Sequence, residues 1–197
     1  KGKEPVVCLT AYTAPMAEML DPIVDVLLVG DSLGMVVYGE PTTLSVDIET
    51  MIRHGRAVAR CAKQAMVVVD MPFGSYQVSP EQAFQNAARI MSETNCDAVK
   101  LEGGSEMAST VSFLTSRGVP VIGHIGMQPQ SVQAYGGFKV QGKTKSSYDH
   151  IMKAASDLED AGAFSLVLEC VTEDLAYDVT SQVSIPVIGI EKSPEEG

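Results

Sequence analysis

The 197-residue chain contains no tryptophan, and aromatic residues make up only 6% of it. Its four cysteines, Cys8, Cys61, Cys96 and Cys170, form no C-x-x-C pair and no zinc-ligand spacing. They therefore read as reduced thiols of an intracellular protein rather than as a disulfide framework or a zinc site. Basic side chains are also scarce, 14 against 25 acidic ones, and the formal net charge is −11. That balance argues against nucleic acid or anionic membrane as a partner, because neither polyanion attracts it. No apolar run approaches the roughly 20 residues of a membrane span, and no signal-peptide pattern opens the chain. Low-complexity segments, linkers and sequence repeats are missing as well.

What remains is ordinary globular material, 45% hydrophobic and 20% charged, of a length that suits one domain with a sizeable core. Short β-branched runs stand at 6–11, 24–29, 66–70, 97–102, 119–124, 165–170 and 185–190. They are near-continuously apolar, as strands buried on both faces of a parallel sheet need to be. Between them the pattern predicts helices over 46–63, from Ser79-Pro80 to about Thr94, and over 105–117, 147–161 and 172–182. Ser79, Pro80 and Gln82 form an N-cap, a first-turn proline and a capping-box partner.

Seven strands alternating with helices fit either a doubly wound open sheet or a (β/α)₈ barrel. The polar residues decide. Asp31, Asp70, Glu102, His124 and Glu169 belong to five different strands, each at or just past the C-terminal end. In a barrel those ends converge on one mouth, whereas an open sheet would string them along a line. The expectation is an α/β chain forming one TIM barrel domain over residues 1–197, shortened at both ends. The eighth strand is expected to be absent from this stretch, which reads IEKSPEEG after the seventh. The connections 31–46 and 125–147 are long, and loops of more than about 12–15 residues in a compact domain are commonly functional.

Asp31, Asp70 and Glu102 make an oxygen-only donor set, which suits Mg²⁺ with its retained waters and a chelating substrate. One such acid alone would read as a helix cap or a lysine partner; three at equivalent strand ends favour a metal. Lys100 and Glu102, two apart on one strand, face the same way. Spacing alone leaves Lys100 open between an anchor for an anionic substrate and an ion-pair partner of Glu102. Glu169 could be a general base or a cap, and burial would raise its pKa while a nearby cation would lower it. Ser32 could bind a substrate oxygen or bond the turn, and His124 fits a plain hydrogen-bonding role. Lys139, Lys143 and Lys145 sit in a glycine-rich loop and could attract an anionic cosubstrate, or simply be solvated. That loop lacks the strand–GxxxxGK[ST]–helix context of a P-loop.

Seven segments together carry a resemblance: LTAY (9–12), VGDSLGMVVYG (29–39), DMPFGSYQ (70–77), VKLEGG (99–104), GHIGMQPQSV (123–132), GGFKVQGK (136–143) and LVLEC (166–170). In this order, over nearly the whole chain, they resemble the ketopantoate hydroxymethyltransferase family of the phosphoenolpyruvate/pyruvate barrel superfamily. The resemblance implies transfer of a one-carbon unit from 5,10-methylenetetrahydrofolate to 3-methyl-2-oxobutanoate, in pantothenate biosynthesis. It also implies Asp31, Asp70 and Glu102 at a Mg²⁺ site, Asp31, Ser32, Asp70 and Lys100 as substrate contacts, and Glu169 as proton acceptor. A homo-oligomer, commonly a decamer, and a cytoplasmic location (mitochondrial in a eukaryotic source) follow from the same likeness. Related oxo-acid lyases commonly carry a KRCGH-type loop, and no such stretch occurs here. Two departures stand out: Thr13 follows LTAY where the family commonly has Asp, and EKSPEEG replaces the usual continuation after IPVIGI.

Overall fold

The computed structural model describes residues 4–137 and 139–190, with the side chain of Tyr135 excepted. Seven strands, β1 (Cys8–Thr10), β2 (Val26–Val29), β3 (Met66–Asp70), β4 (Ala98–Glu102), β5 (Val121–Gly126), β6 (Ser165–Glu169) and β7 (Val187–Ile190), follow one another in space as in sequence. Every neighbouring pair is parallel, and the sheet wraps into a nearly closed (β/α) barrel. The sequence past the seventh strand, residues 191–197, lies outside the described residues.

Strand alternation builds two apolar layers. Leu27, Val29, Val69, Val99, Leu101, Ile125, Leu166 and Leu168 point outward and pack under the helices. Their sequence neighbours Val26, Leu28, Val68, Ala98, Ile122 and Val167 fill the barrel interior. The strands look continuously apolar because both faces are covered. Toward the C-terminal ends the inward series changes character: Val68 gives way to Asp70, Ala98 to Lys100 and Glu102, Ile122 to His124, and Val167 to Glu169. One end of the barrel is thus dry and the other charged.

The expected helices appear as α3 (Ile48–Cys61), α4 (Pro80–Thr94), α5 (Ala108–Thr115), α7 (Lys145–Asp160) and α8 (Glu173–Gln182), and α5 is preceded by a 3₁₀ turn at Ser105–Met107. Asp47 and Ser79 cap α3 and α4 by accepting from Thr50 N at 2.8 Å and Gln82 N at 3.2 Å. Gln82 Oε1 reaches back one residue further than a capping box would, to Val78 N at 3.1 Å. Thr144 caps α7, so that helix starts two residues before 147. Among the described residues three α-helices lie outside the expected set: α1 (Ala14–Leu20), α2 (Leu33–Val36) and α6 (Val132–Tyr135). The last two are single turns folded inside the long loops, too short to leave a periodic signature. Thr13 is the N-cap of α1, accepting from Met16 N at 3.4 Å. Asp and Thr both cap, so the departure at this position preserves the local structure.

Candidate active site

The VGDSLG turn after β2 brings three polar groups close together. A Cβ on Gly30 would lie 2.8 Å from Ser32 Oγ and 3.5 Å from Asp70 Oδ2, so a side chain there would press on both. With glycine in place, Asp31 N donates to Asp70 Oδ2 at 3.1 Å. Ser32 Oγ lies 2.9 Å from the hydroxyl of Tyr12, just past β1. Asp70 Oδ1 is 3.0 Å from Lys100 Nζ across the β3–β4 pair. This settles one alternative left open by spacing. The close carboxylate partner of Lys100 is Asp70 on the neighbouring strand, not Glu102 on its own.

His124 joins the two halves of the mouth. It lies two residues before the end of β5, whereas the sequence pattern placed it at the strand terminus. Its Nδ1 is 3.3 Å from Lys100 Nζ and 3.7 Å from Glu102 Oε1, and its Nε2 is 3.2 Å from Glu169 Oε2. Burial first, and the charge of Lys100 second, push the imidazole below its usual pKa and keep it neutral. Burial disfavours the Lys100 ammonium, but Asp70, Glu102 and Asp31 outweigh it and hold that group protonated above its ordinary range. A charged Lys100 can only donate, so His124 Nδ1 accepts and the ring proton sits on Nε2, facing Glu169. Glu169 ends β6, and the next residue, Cys170, takes a left-handed conformation at φ 51°. Opposite it, Gly126 has φ 91°, and a Cβ there would come 2.3 Å from the Glu169 carbonyl oxygen.

Gln130, in the 125–147 loop, was not among the residues singled out by sequence. It donates from Nε2 to Asp31 Oδ2 at 2.8 Å and from its backbone N to Glu102 Oε2 at 3.0 Å. The sequence pattern does not single out Tyr76 either; its hydroxyl donates to Gln130 Oε1 at 2.6 Å and accepts from Glu102 N at 3.2 Å. Both lie within quoted motifs, but a neutral amide 99 residues from the acid it bonds leaves no spacing signal. The lysine loop is exposed, and Lys145 pairs on the surface with Asp149 at 3.0 Å.

Asp31, Asp70, Lys100 and Glu102 are each no more than 5% exposed, so three carboxylates face one ammonium. Burial pushes the Glu102 carboxyl up to about 8, with Lys100 opposing and Asp31 adding to the rise. Asp31 is raised by burial and then by Asp70, against the pull of Lys100. Among the described residues no three Asp, Glu, His or Cys side chains form a ready-made ion cage. Mg²⁺ does not ask for one, because it keeps several waters and uses one or two carboxylates plus substrate oxygens. The residues fit such an ion: hard oxygen donors from adjoining strands, buried, and short of positive charge.

A parallel (β/α) barrel with a charged, metal-compatible mouth at its C-terminal end defines the class. Solved structures share the fold. Phosphonopyruvate hydrolase complexed with oxalate and Mg²⁺ superposes with a TM-score of 0.68 at 13% identity, over 94% of this chain and 67% of that one. For 2,3-dimethylmalate lyase, a PEP mutase/isocitrate lyase superfamily member, the TM-score is 0.68 at 14% identity, over 98% and 72%. The family follows from sequence. The family model of ketopantoate hydroxymethyltransferase matches residues 1–195, and the chain belongs to that family. It is 60% identical to the 3-methyl-2-oxobutanoate hydroxymethyltransferase of Rhodospirillum rubrum over 98% of this chain and 69% of that protein. The identically named protein of Bordetella petrii is also 60% identical, over 98% of this chain and 70% of its own length.

Proposed function

We propose that this chain transfers a hydroxymethyl group from 5,10-methylenetetrahydrofolate to 3-methyl-2-oxobutanoate, giving ketopantoate for pantothenate biosynthesis, with Mg²⁺ assistance and Glu169 as base. One observation supports this above the others. Asp31, Asp70 and Glu102 gather on one side of the barrel mouth, and Lys100 and His124 connect them to Glu169 on the other, in a chain of this family.

Asp31, Asp70 and Glu102 would hold the metal. A divalent ion supplies Lewis acidity toward the carboxylate and ketone oxygens of the oxo acid, which stabilises negative charge developing there. Lys100, fixed by Asp70, adds a desolvated positive charge for the same anion. Ser32, oriented by Tyr12, offers a hydroxyl to a substrate oxygen. Glu169 takes the C3 proton, a step in which a positioned base supplies about 10²–10⁴-fold. Neutral His124 lies beside that carboxylate at the mouth, with Nε2 3.2 Å from Glu169 Oε2. The C3 carbanion equivalent then attacks the folate-bound methylene carbon. Water releases the hydroxymethylated oxo acid and tetrahydrofolate.

The test follows the reaction in two halves. Exchange of the C3 hydrogen of 3-methyl-2-oxobutanoate into D₂O is expected with Mg²⁺ and is lost on chelation. Ketopantoate is expected only when methylenetetrahydrofolate is added. Exchange that ignores Mg²⁺ would remove the metal from this reading, and the absence of both exchange and product would remove the reaction itself.

A further inference from the structure

The amide of Gln130 is buried, 5% exposed, and each of its polar atoms meets two partners. Nε2 donates to Asp31 Oδ2 at 2.8 Å and to the Met71 carbonyl at 3.0 Å. Oε1 accepts from the Tyr76 hydroxyl at 2.6 Å and from Gln77 Nε2 at 3.3 Å. This pattern fixes the amide's orientation. Flipped, it would set its oxygen against the Met71 carbonyl, which has no proton to give, and its NH₂ against that of Gln77. The same residue's backbone N–H takes Glu102 Oε2, and Tyr76 closes the circuit by accepting from Glu102 N. Carboxylates from two different strand ends are therefore turned by one loop residue.

We propose that Gln130 is a positioning residue that sets the rotation of Asp31 and Glu102 so that both serve a single divalent cation; the inference rests on the metal reading given above. Tyr76 holds the amide from behind. A carboxylate free to rotate in a buried mouth would meet the ion in several geometries, each weaker than the aligned one. Outer-shell partners that orient ligands are typically worth about 10–100-fold in metal affinity.

The experiment compares wild type, Gln130→Met and Gln130→Asn by titrating Mg²⁺ calorimetrically in the presence of 3-methyl-2-oxobutanoate, with thermal melts recorded alongside. Methionine keeps the length and removes the side-chain bonds to Asp31 and Tyr76, while the backbone N–H to Glu102 stays. Asparagine keeps the amide but is one methylene too short to hold Asp31 and Tyr76 together. Both variants are expected to bind Mg²⁺ about 10–100-fold more weakly. In Gln130→Met, C3–H exchange should recover toward the wild-type rate as Mg²⁺ is raised. A purely structural glutamine would lower the melting temperature and leave the Mg²⁺ affinity of the folded protein unchanged, and that result would overturn the proposal. Should Gln130→Met not fold, the same two outcomes are read from the polar Gln130→Asn. A wild type without Mg²⁺-dependent binding would overturn the metal reading and the clamp together; unchanged affinity in the variant beside a wild type that binds would overturn the clamp alone.

Discussion

Glu169→Gln is expected to lower Mg²⁺-dependent C3–H exchange of 3-methyl-2-oxobutanoate by about 10²–10⁴-fold, the range a positioned general base supplies. Binding of the oxo acid should remain close to the wild-type level. The two effects separate because Glu169 lies across the mouth from the acid set. It ends β6 and touches His124 Nε2 at 3.2 Å, whereas Asp31, Asp70 and Glu102 come from the β2, β3 and β4 ends. An amide has nearly the same shape as the carboxylate, so the mouth keeps its geometry and loses only a basic lone pair. Isotope exchange followed by NMR and calorimetry on the same protein give both numbers. Near-normal exchange in this variant would exclude Glu169 as the base.

A second large effect concerns pH and metal together. In the metal-free protein the Glu102 carboxyl is pushed up to about 8, and Asp31 is raised as well, both chiefly by burial. Unfolded, the same groups titrate near their ordinary values of about 4. Between those values the folded chain binds more protons than the unfolded one, so the stability contributed by these groups falls as pH rises. It is complete below about pH 4 and lost as pH passes through the folded value of about 8. Mg²⁺ competes with those protons, and its stabilising effect therefore grows in the opposite direction. At a concentration about 100-fold above Kd, a ligand of the native state contributes about 2.7 kcal/mol. In a domain of this size that raises Tm by roughly 5–10 °C. Melting curves with EDTA and with saturating Mg²⁺ should lie close together at pH 6 and far apart at pH 8.5. An equal Mg²⁺ increment at both values would contradict the assignment of Asp31 and Glu102 as ligands.

Much of this architecture is legible in the amino-acid order because barrel strands carry their message locally. The run VLLV is apolar throughout since Leu27 faces helices while Val26 and Leu28 face the interior. Its abrupt end in Gly30, Asp31 and Ser32 marks the mouth. Lys100 and Glu102 share a face for the same reason, as strand periodicity alone requires. What stays hidden depends on cross-strand and loop geometry. The choice of Asp70 over Glu102 as the lysine's close partner follows from the β3–β4 register, which pairs Asp70 with Lys100. The place of His124 between Lys100 and Glu169 needs the β4–β5–β6 order. Gln130 is hidden most deeply, since an uncharged side chain in a long loop becomes a clamp only when that loop folds over the mouth.

The central claim is that side-chain oxygens from the β2, β3 and β4 ends share one divalent ion with a keto acid. Crystals soaked with Mn²⁺ and 3-methyl-2-oxobutanoate test it most directly through anomalous scattering. One anomalous peak is predicted in the barrel mouth, contacted by oxygens from the Asp31, Asp70 and Glu102 group and by the carboxylate and ketone oxygens of the ligand. A ligand bound in the mouth with no anomalous peak beside it, or a peak coordinated elsewhere on the chain, would contradict the claim.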